Sequence, residues 1–196
     1  MGYVLEPVNT PGHAVLNLAL LGRDRWRGCA SPILAGAIVP DLPILGFYLV
    51  VRLWFGLSEA QIWTHEYFRP GWQSLFDLAH SLPLALLGFG VAALLRRTGA
   101  QLFFASLGLH ALLDLPLHRE DAHRHFWPFS DVRVTSPVSY WDPAHYGAQM
   151  ALLELGLVCV ASVVLWRRYP RRATRIALVA VNALYVAGYA LFYRIS

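Results

Sequence analysis

GLHALLDLPLH, residues 108–118, is the stretch whose reading decides the fold. It lies in an apolar run of membrane-spanning character, yet it carries two histidines and an aspartate. His110, Asp114 and His118 follow one another at four-residue intervals, so in a helix successive members share a face, offset by about 40°. Ionisable groups at membrane depth are costly, and they mark function when a chain keeps them. The stretch therefore points to a helical membrane bundle with a polar site inside it.

The composition agrees. Of the 196 residues, 57% are hydrophobic and 14% charged, where a soluble domain carries about 25% charged residues. All 16 basic residues are arginine, and they gather at the ends of apolar runs. That pattern anchors loops at a membrane surface and is not a nucleic-acid footprint, so no nucleic-acid partner is expected. Cys29 and Cys159 are far apart and build no cysteine metal site. The first basic residue is Arg23, so a cleaved secretory leader is not expected.

Crossing a bilayer as helix takes about 20 apolar residues. Four runs qualify, 32–55, 79–95 (extendable back to 74), 148–166 and 174–193, and a shorter fifth, 101–117, contains most of the opening stretch. Ahead of them, TPGHAVLNLALLG offers Thr10 as a cap and Pro11 at the first helical position. At about 12 residues that helix is too short to cross alone, so it is re-entrant or packed into the bundle. Ser31-Pro32 and Asp142-Pro143 repeat the same start signal. The expected fold is an all-α polytopic membrane bundle of about five transmembrane helices plus this short N-terminal helix. It forms a single domain over residues 1–196, with a long loop at 118–143 and no internal repeat. Trp63, Trp72, Trp127 and Trp141 sit where interfacial belts belong.

Arginine placement orients the bundle. Arg23, Arg25, Arg27, Arg96, Arg97, Arg167, Arg168, Arg171, Arg172 and Arg175 fall on one side, and Arg52, Arg69, Arg119, Arg124, Arg133 and Arg194 on the other, where most acids also lie. The richer side is expected to be cytoplasmic, which makes the 118–143 loop extracytoplasmic. On this topology His13, His80, His110, Asp114 and His118 fall in the outer half of the bundle. Asp41 and Glu154 each sit about ten residues into their helices, roughly 15 Å of rise, so these groups meet at one level. In GAIVPDLPIL, Pro40 and Pro43 bracket Asp41 and are expected to kink or open the helix, which is tolerated where the break faces protein or a wet cavity.

Imidazole and carboxylate together suit zinc, with manganese or iron as alternatives, and an open coordination position holds a water. A divalent ion lowers the pKa of that water and polarises a phosphoryl or carbonyl oxygen, which is hydrolytic chemistry. A His and an Asp one turn apart also read as ligand and orienting partner. The candidate ligands are His13, Asp41, His80, His110, Asp114 and His118. Asp41, Asp114 and Asp77 are the candidate catalytic carboxylates, with Arg119 and Arg124 as planar clamps for a phosphate. His123 and His125, in LHREDAHRHFWPF, read equally as loop surface or as a lid with extra ligands.

Five short motifs in order carry a resemblance: PGH at Gly12-His13, VPDLP at Pro40-Asp41, DLAHSL at His80-Ser81, HALLD at His110-Asp114 and FWPF at Trp127-Pro128. Over roughly residues 10–130 the chain resembles the bacterial and archaeal family of membrane-bound metal-dependent hydrolases, the YdjM-like inner-membrane proteins. That family shows Gly-His, then Pro-Asp-x-Asp, then His-Arg-Gly-x-Thr-His-Ser, then His-x-x-x-Asp in a later helix. The resemblance implies a bacterial inner-membrane, multi-pass, metal-dependent hydrolase with ligands at His13, Asp41, His80, His110 and Asp114. Pro43 stands where the family has a second acid, and Leu75, Phe76 and Asp77 replace His-Arg-Gly, with Asp77 as a substitute ligand.

Three functions follow from these residues. The first is hydrolysis of a lipid-derived phosphoester, because a shallow site in a bilayer admits amphiphiles. The second is a non-catalytic structural or cofactor-binding subunit of a larger membrane assembly, its histidines ligating a haem or pigment or locking helices together. The third is a proton-coupled transporter, against which the missing repeat argues.

Overall fold

The computed structural model describes residues 10–23, 28–140 and 142–193; Arg25, Arg27, Trp141 and Arg194 lie outside the described residues. The chain is all-α, and no strand occurs among the described residues. Four segments are long and apolar enough to cross a membrane: Ala30–Trp54, Pro70–Leu94, Gly147–Arg168 and Arg172–Tyr193. The first is built from α2 (Ala30–Ile38), a 3₁₀ turn (Val39–Asp41), α3 (Leu42–Leu49) and a π turn (Val50–Trp54). After the short α4 (Glu59–Gln61), the second is formed by α5 (Pro70–Ala79) and α6 (Leu82–Leu94). The last two are single helices, α8 (Gly147–Arg168) and α9 (Arg172–Tyr193).

The expected fifth span is α7 (Thr98–Asp114), 17 residues long. That length rises about 25 Å, short of the roughly 30 Å hydrocarbon core. It packs between α2 and α6 and against α1 (Thr10–Leu21). The helix ends before Pro116, whose ring would clash with the carbonyl of Leu112. His118 therefore lies beyond the helix rather than on its outer half. Leu117 N donates to Asp114 O across the closing turn (2.8 Å), which keeps His118 near the Asp114 side chain.

The short first helix is packed inside the bundle, against α2, α7 and α8. Its buried residues are Gly12, His13, Val15, Asn17 and Leu18. Lipid is as apolar as leucine, so helices in a membrane associate through close packing and shared hydrogen bonds. Both are visible. A Cβ at Gly36 would collide with the Phe103 carbonyl, so glycine there lets α2 and α7 touch backbone to backbone. Asn17 Nδ2 donates to Ser106 O (2.8 Å), and Ser106 Oγ donates to Ile33 O (2.6 Å), tying three helices together. At the other end of α1, Arg168 Nη1 donates to the carbonyls of Ala19 (2.9 Å) and Gly22 (2.8 Å), satisfying acceptors that every helix end leaves open.

The second span is not one continuous helix. Pro83 would clash with the carbonyl of Ala79, and the chain breaks at His80-Ser81. Ser81 caps α6 by accepting from Leu84 N (3.2 Å) and donates its hydroxyl to Trp127 O (2.5 Å). Leu82 N donates to His125 O (2.9 Å), so the long loop pairs the backbone that the break exposes. The loop is itself anchored. Asp77, wholly buried, accepts from Arg124 N (2.8 Å) and Arg124 Nε (2.6 Å) and pairs with Arg133 Nη2 (3.1 Å).

Two expected start signals act differently. The Thr10 hydroxyl donates to Asp41 Oδ2 across helices. Asp142 caps a 3₁₀ turn, Pro143–His145, accepting from Ala144 N at 2.9 Å. Tyr146, in the left-handed region at φ 65, then separates that turn from α8.

Candidate functional site

Three imidazoles are held the same way. His110 Nδ1 lies 2.8 Å from Ala37 O, and His80 Nδ1 lies 2.9 Å from Phe76 O. His118 Nδ1 lies 2.7 Å from Asp121 Oδ2. Carbonyl and carboxylate oxygens only accept, so each Nδ1 carries the proton and each Nε2 of a neutral ring is left as a bare lone pair. Nε2 of His80 and His110 turns toward both Asp41 and Asp114, and Nε2 of His118 toward Asp114.

His110 Nε2 is 3.4 Å from Asp41 Oδ1 and 3.0 Å from Asp114 Oδ2. His80 Nε2 is 3.8 Å from Asp41 Oδ1 and 3.6 Å from Asp114 Oδ2. The other oxygen of Asp114 faces His13 Nε2 at 2.9 Å and His118 Nε2 at 3.8 Å. The Asp114 carboxylate thus lies between two groups of donors, which share His110: His13–His110–Asp114 and Asp41–His80–His110. The rings of His13 and His110 stack at 3.9 Å.

This arrangement fits a divalent cation. Ligand atoms each about 2.0–2.2 Å from one ion stand roughly 3–4 Å apart around a tetrahedron, the range of the six distances above. The short contacts are not explained as hydrogen bonds: His110 Nε2 and both ring nitrogens of His13 are buried with no hydrogen-bond partner despite oxygens close by. Lone pairs facing carboxylate oxygens at that range repel unless a proton or a metal cation lies between them. Asp41, Asp114 and Asp121 bring three acidic groups to the cavity wall, and no arginine among the described residues lines it.

Neighbours fix the ligand atoms. Thr10 takes one oxygen of Asp41, which leaves Oδ1 to face His80 and His110. Asp121 orients His118, and its Oδ1 accepts from Arg119 N (3.2 Å). Burial opposes charge on both members of the His118–Asp121 pair. Their mutual attraction outweighs it, holding His118 above the usual imidazole range and Asp121 below the usual carboxylate range. The charge that draws a proton to His118 would equally draw a metal. His123 stacks on His80 at 4.1 Å, and burial, with His80 beside it, holds it well below the usual imidazole range.

Of the residues expected at the site, His13, Asp41, His80, His110, Asp114 and His118 come together. Asp77 does not join them, since both its oxygens are taken by Arg124 and Arg133. Arg124 is spent on Asp77 and Asp131, and Arg119 on Ser136 O and Glu120. Neither guanidinium lines the cavity, so a phosphate clamp from these two is not in place. Glu154 accepts from Tyr185 Oη (2.7 Å) beside Gly12, behind the site. Thr10 and Asp121 were missed as orienting residues. Asp121, three residues after His118, carried a usable signal, because that spacing joins them across a tight turn.

Beside this cluster lies a cavity of about 360 Å³. Asp41, His80, Asp114, His118, Asp121 and His123 form its polar side, and Ile38, Leu42, Leu45, Tyr48, Trp63 and Tyr140 are among its apolar walls. The chemistry available is that of a water or substrate oxygen presented to a cation in a mostly apolar chamber. No family model, curated protein or solved structure matches this chain.

Proposed function

We propose that this protein is a membrane-embedded, metal-dependent hydrolase that cleaves a lipid-derived phosphoester. The observation that carries the reading is the shared tautomer of His80, His110 and His118. Each Nδ1–H is tied to its own acceptor, which frees Nε2 of His80 and His110 for Asp41 and Asp114 and Nε2 of His118 for Asp114. Zinc suits the mixed imidazole and carboxylate donors best, with manganese or iron as alternatives.

Asp41, His80, His110 and one oxygen of Asp114 would hold an ion, and His13 and His118 flank the other oxygen of Asp114. The ion supplies Lewis acidity toward a phosphoryl oxygen and lowers the pKa of water. The chain's own residues do the rest. Asp114 and Asp41 set the position of the attacking oxygen, and Thr10 and Asp121 keep Asp41 and His118 in register. The Tyr48, Trp63 and Tyr140 wall limits bulk water. On the arginine distribution, the protein sits multi-pass in a bacterial inner membrane, with the loop and the site toward the outer leaflet. Membrane lipids are its neighbours, and a larger membrane assembly is the alternative setting.

The test is elemental analysis of purified protein, combined with phosphate release from lipid vesicles. Wild type is expected to carry zinc or another divalent ion and to lose hydrolysis after chelation, with recovery on metal return. Asp114→Ala is expected to lose both metal and activity, and His110→Ala to bind metal more weakly and lose activity. Full metal retention in both variants contradicts the reading, and a coloured, haem-bearing protein turns it toward the cofactor-subunit function.

A further inference from the structure

Ile38, Leu42 and Leu45 have two surroundings at once. They line the cavity that holds Asp41, His80 and Asp114, and they are also 37%, 49% and 53% exposed. They follow one another at four and three residues, so they form one helix face. That face belongs to the span Ala30–Trp54, 25 residues long, in which Ile38 is ninth and Leu45 sixteenth. At that depth the medium outside is hydrocarbon. The cavity therefore has an apolar side opening at mid-membrane depth, between this face and the Thr10–Pro11 start of α1, which also lines it. Leu49, 45% exposed, continues the strip toward the span's end.

We propose that this opening is a lateral portal: the substrate is a bilayer-resident amphiphile whose polar group reaches the Asp41–Asp114 pole while its hydrocarbon chain stays in lipid along Ile38, Leu42 and Leu45. The inference rests on the proposed hydrolytic site for what happens to the polar group, and it adds the entry route and the tail seat. A chain passing sideways never leaves hydrocarbon, whereas a route through water would expose every methylene. The same cavity also carries Asp121 and His118, polar groups suited to the headgroup. One chamber thus joins an apolar entrance to a polar end, with the carboxylates between.

The experiment narrows the portal with Leu42→Trp/Leu45→Trp and uses Leu86→Trp, on the exposed face of α6, as control. Metal-stripped proteins are compared by native mass spectrometry for retained phospholipid. Metal-loaded ones are compared on dioleoyl phosphatidic acid in phosphatidylcholine vesicles and on soluble dihexanoyl phosphatidic acid. The expected result is loss of the retained lipid and at least a ten-fold fall in vesicle hydrolysis, with soluble hydrolysis falling at least five-fold less than vesicle hydrolysis; Leu86→Trp behaves as wild type. Should the double variant fail to fold, Leu42→Ala/Leu45→Ala, which widens the opening, is expected to keep both lipid and vesicle activity. Lipid retention that responds to the portal in a protein without hydrolysis removes the proposed function and leaves the portal. Unchanged lipid retention and unchanged vesicle hydrolysis in the tryptophan variant overturn the portal and leave the hydrolase.

Discussion

Helices α7 and α9 make opposite use of membrane-like sequence. α9 meets every requirement of a span by length and hydropathy, yet only Leu178 of its residues is buried. α7 is shorter, and it buries Leu102, Ser106, His110, Ala111 and Asp114 between its neighbours. One helix leaves its apolar face exposed, and the other carries the polar interior. Apolar length thus reports which helices touch the bilayer, while the odd polar residue in a shorter run reports which helix the bundle is built around. In a medium where apolar contact between helices gains little over lipid, the polar and small residues specify the packing.

The contrast is open to direct tests. The largest expected effect is Asp114→Ala, which removes the carboxylate lying between both donor groups. Metal is expected to be absent at any practical concentration, measured by elemental analysis after gel filtration. Next is Asp77→Ala, which removes the buried carboxylate that Arg124 and Arg133 share and leaves them only Asp131 and Ala122 O. The loop loses its anchor to α5, so it is expected to become protease-sensitive between residues 119 and 134. Metal affinity at the pole then falls as a consequence of lost loop order. Asp121→Asn and Thr10→Val are smaller still, since each removes an orienting partner and leaves the ligand. They are expected to weaken metal binding by about 10–100-fold, read by competition with a chelator, without a change in the metal-free melting temperature. On α9, Val186→Leu lies on the exposed face and is expected to stay within about 0.5 kcal/mol of wild type. A loss of metal affinity there would break the division between the two helices.

The smallest effect has a pH sign. Asp142 accepts from His145 and from Ala144 N, which holds its pKa below the ordinary 3.8. Its stabilising contribution is therefore complete at neutral pH and is lost as pH falls below that value toward the lowered one. Asp142→Asn still caps, so it is expected to cost only about 0.2–0.5 kcal/mol at neutral pH, the size of an exposed ion pair. The difference shrinks toward zero in acid, as followed by thermal unfolding.

Much of this was legible in the residues. Helix positions followed from apolar length, and the level of the polar groups from counting rise along each run. Sequence separations of four placed His110 and Asp114 on one face, and the structure puts His110 Nε2 3.0 Å from Asp114 Oδ2. The errors share a cause, which is that local spacing does not reveal what a long loop brings back. Asp77 has three residues between it and Ser81 and looked like part of the site, but Arg124 and Arg133, distant in sequence, claim it. Thr10 had the form of a helix cap, yet a partner on another helix took its hydroxyl. Pro116 and Pro83 ended helices that hydropathy alone would have continued, and those ends release His118 and His80 from helical geometry to face the pole.

The most direct measurement is X-ray absorption spectroscopy at the zinc edge on zinc-loaded wild type and His110→Ala. Wild type is expected to show nitrogen and oxygen neighbours at about 2.0–2.1 Å with the outer-shell scattering of at least two imidazoles, and the variant one imidazole fewer. A zinc site without imidazole scattering, or a spectrum unchanged by the substitution, would contradict a metal held by His80, His110, Asp41 and Asp114.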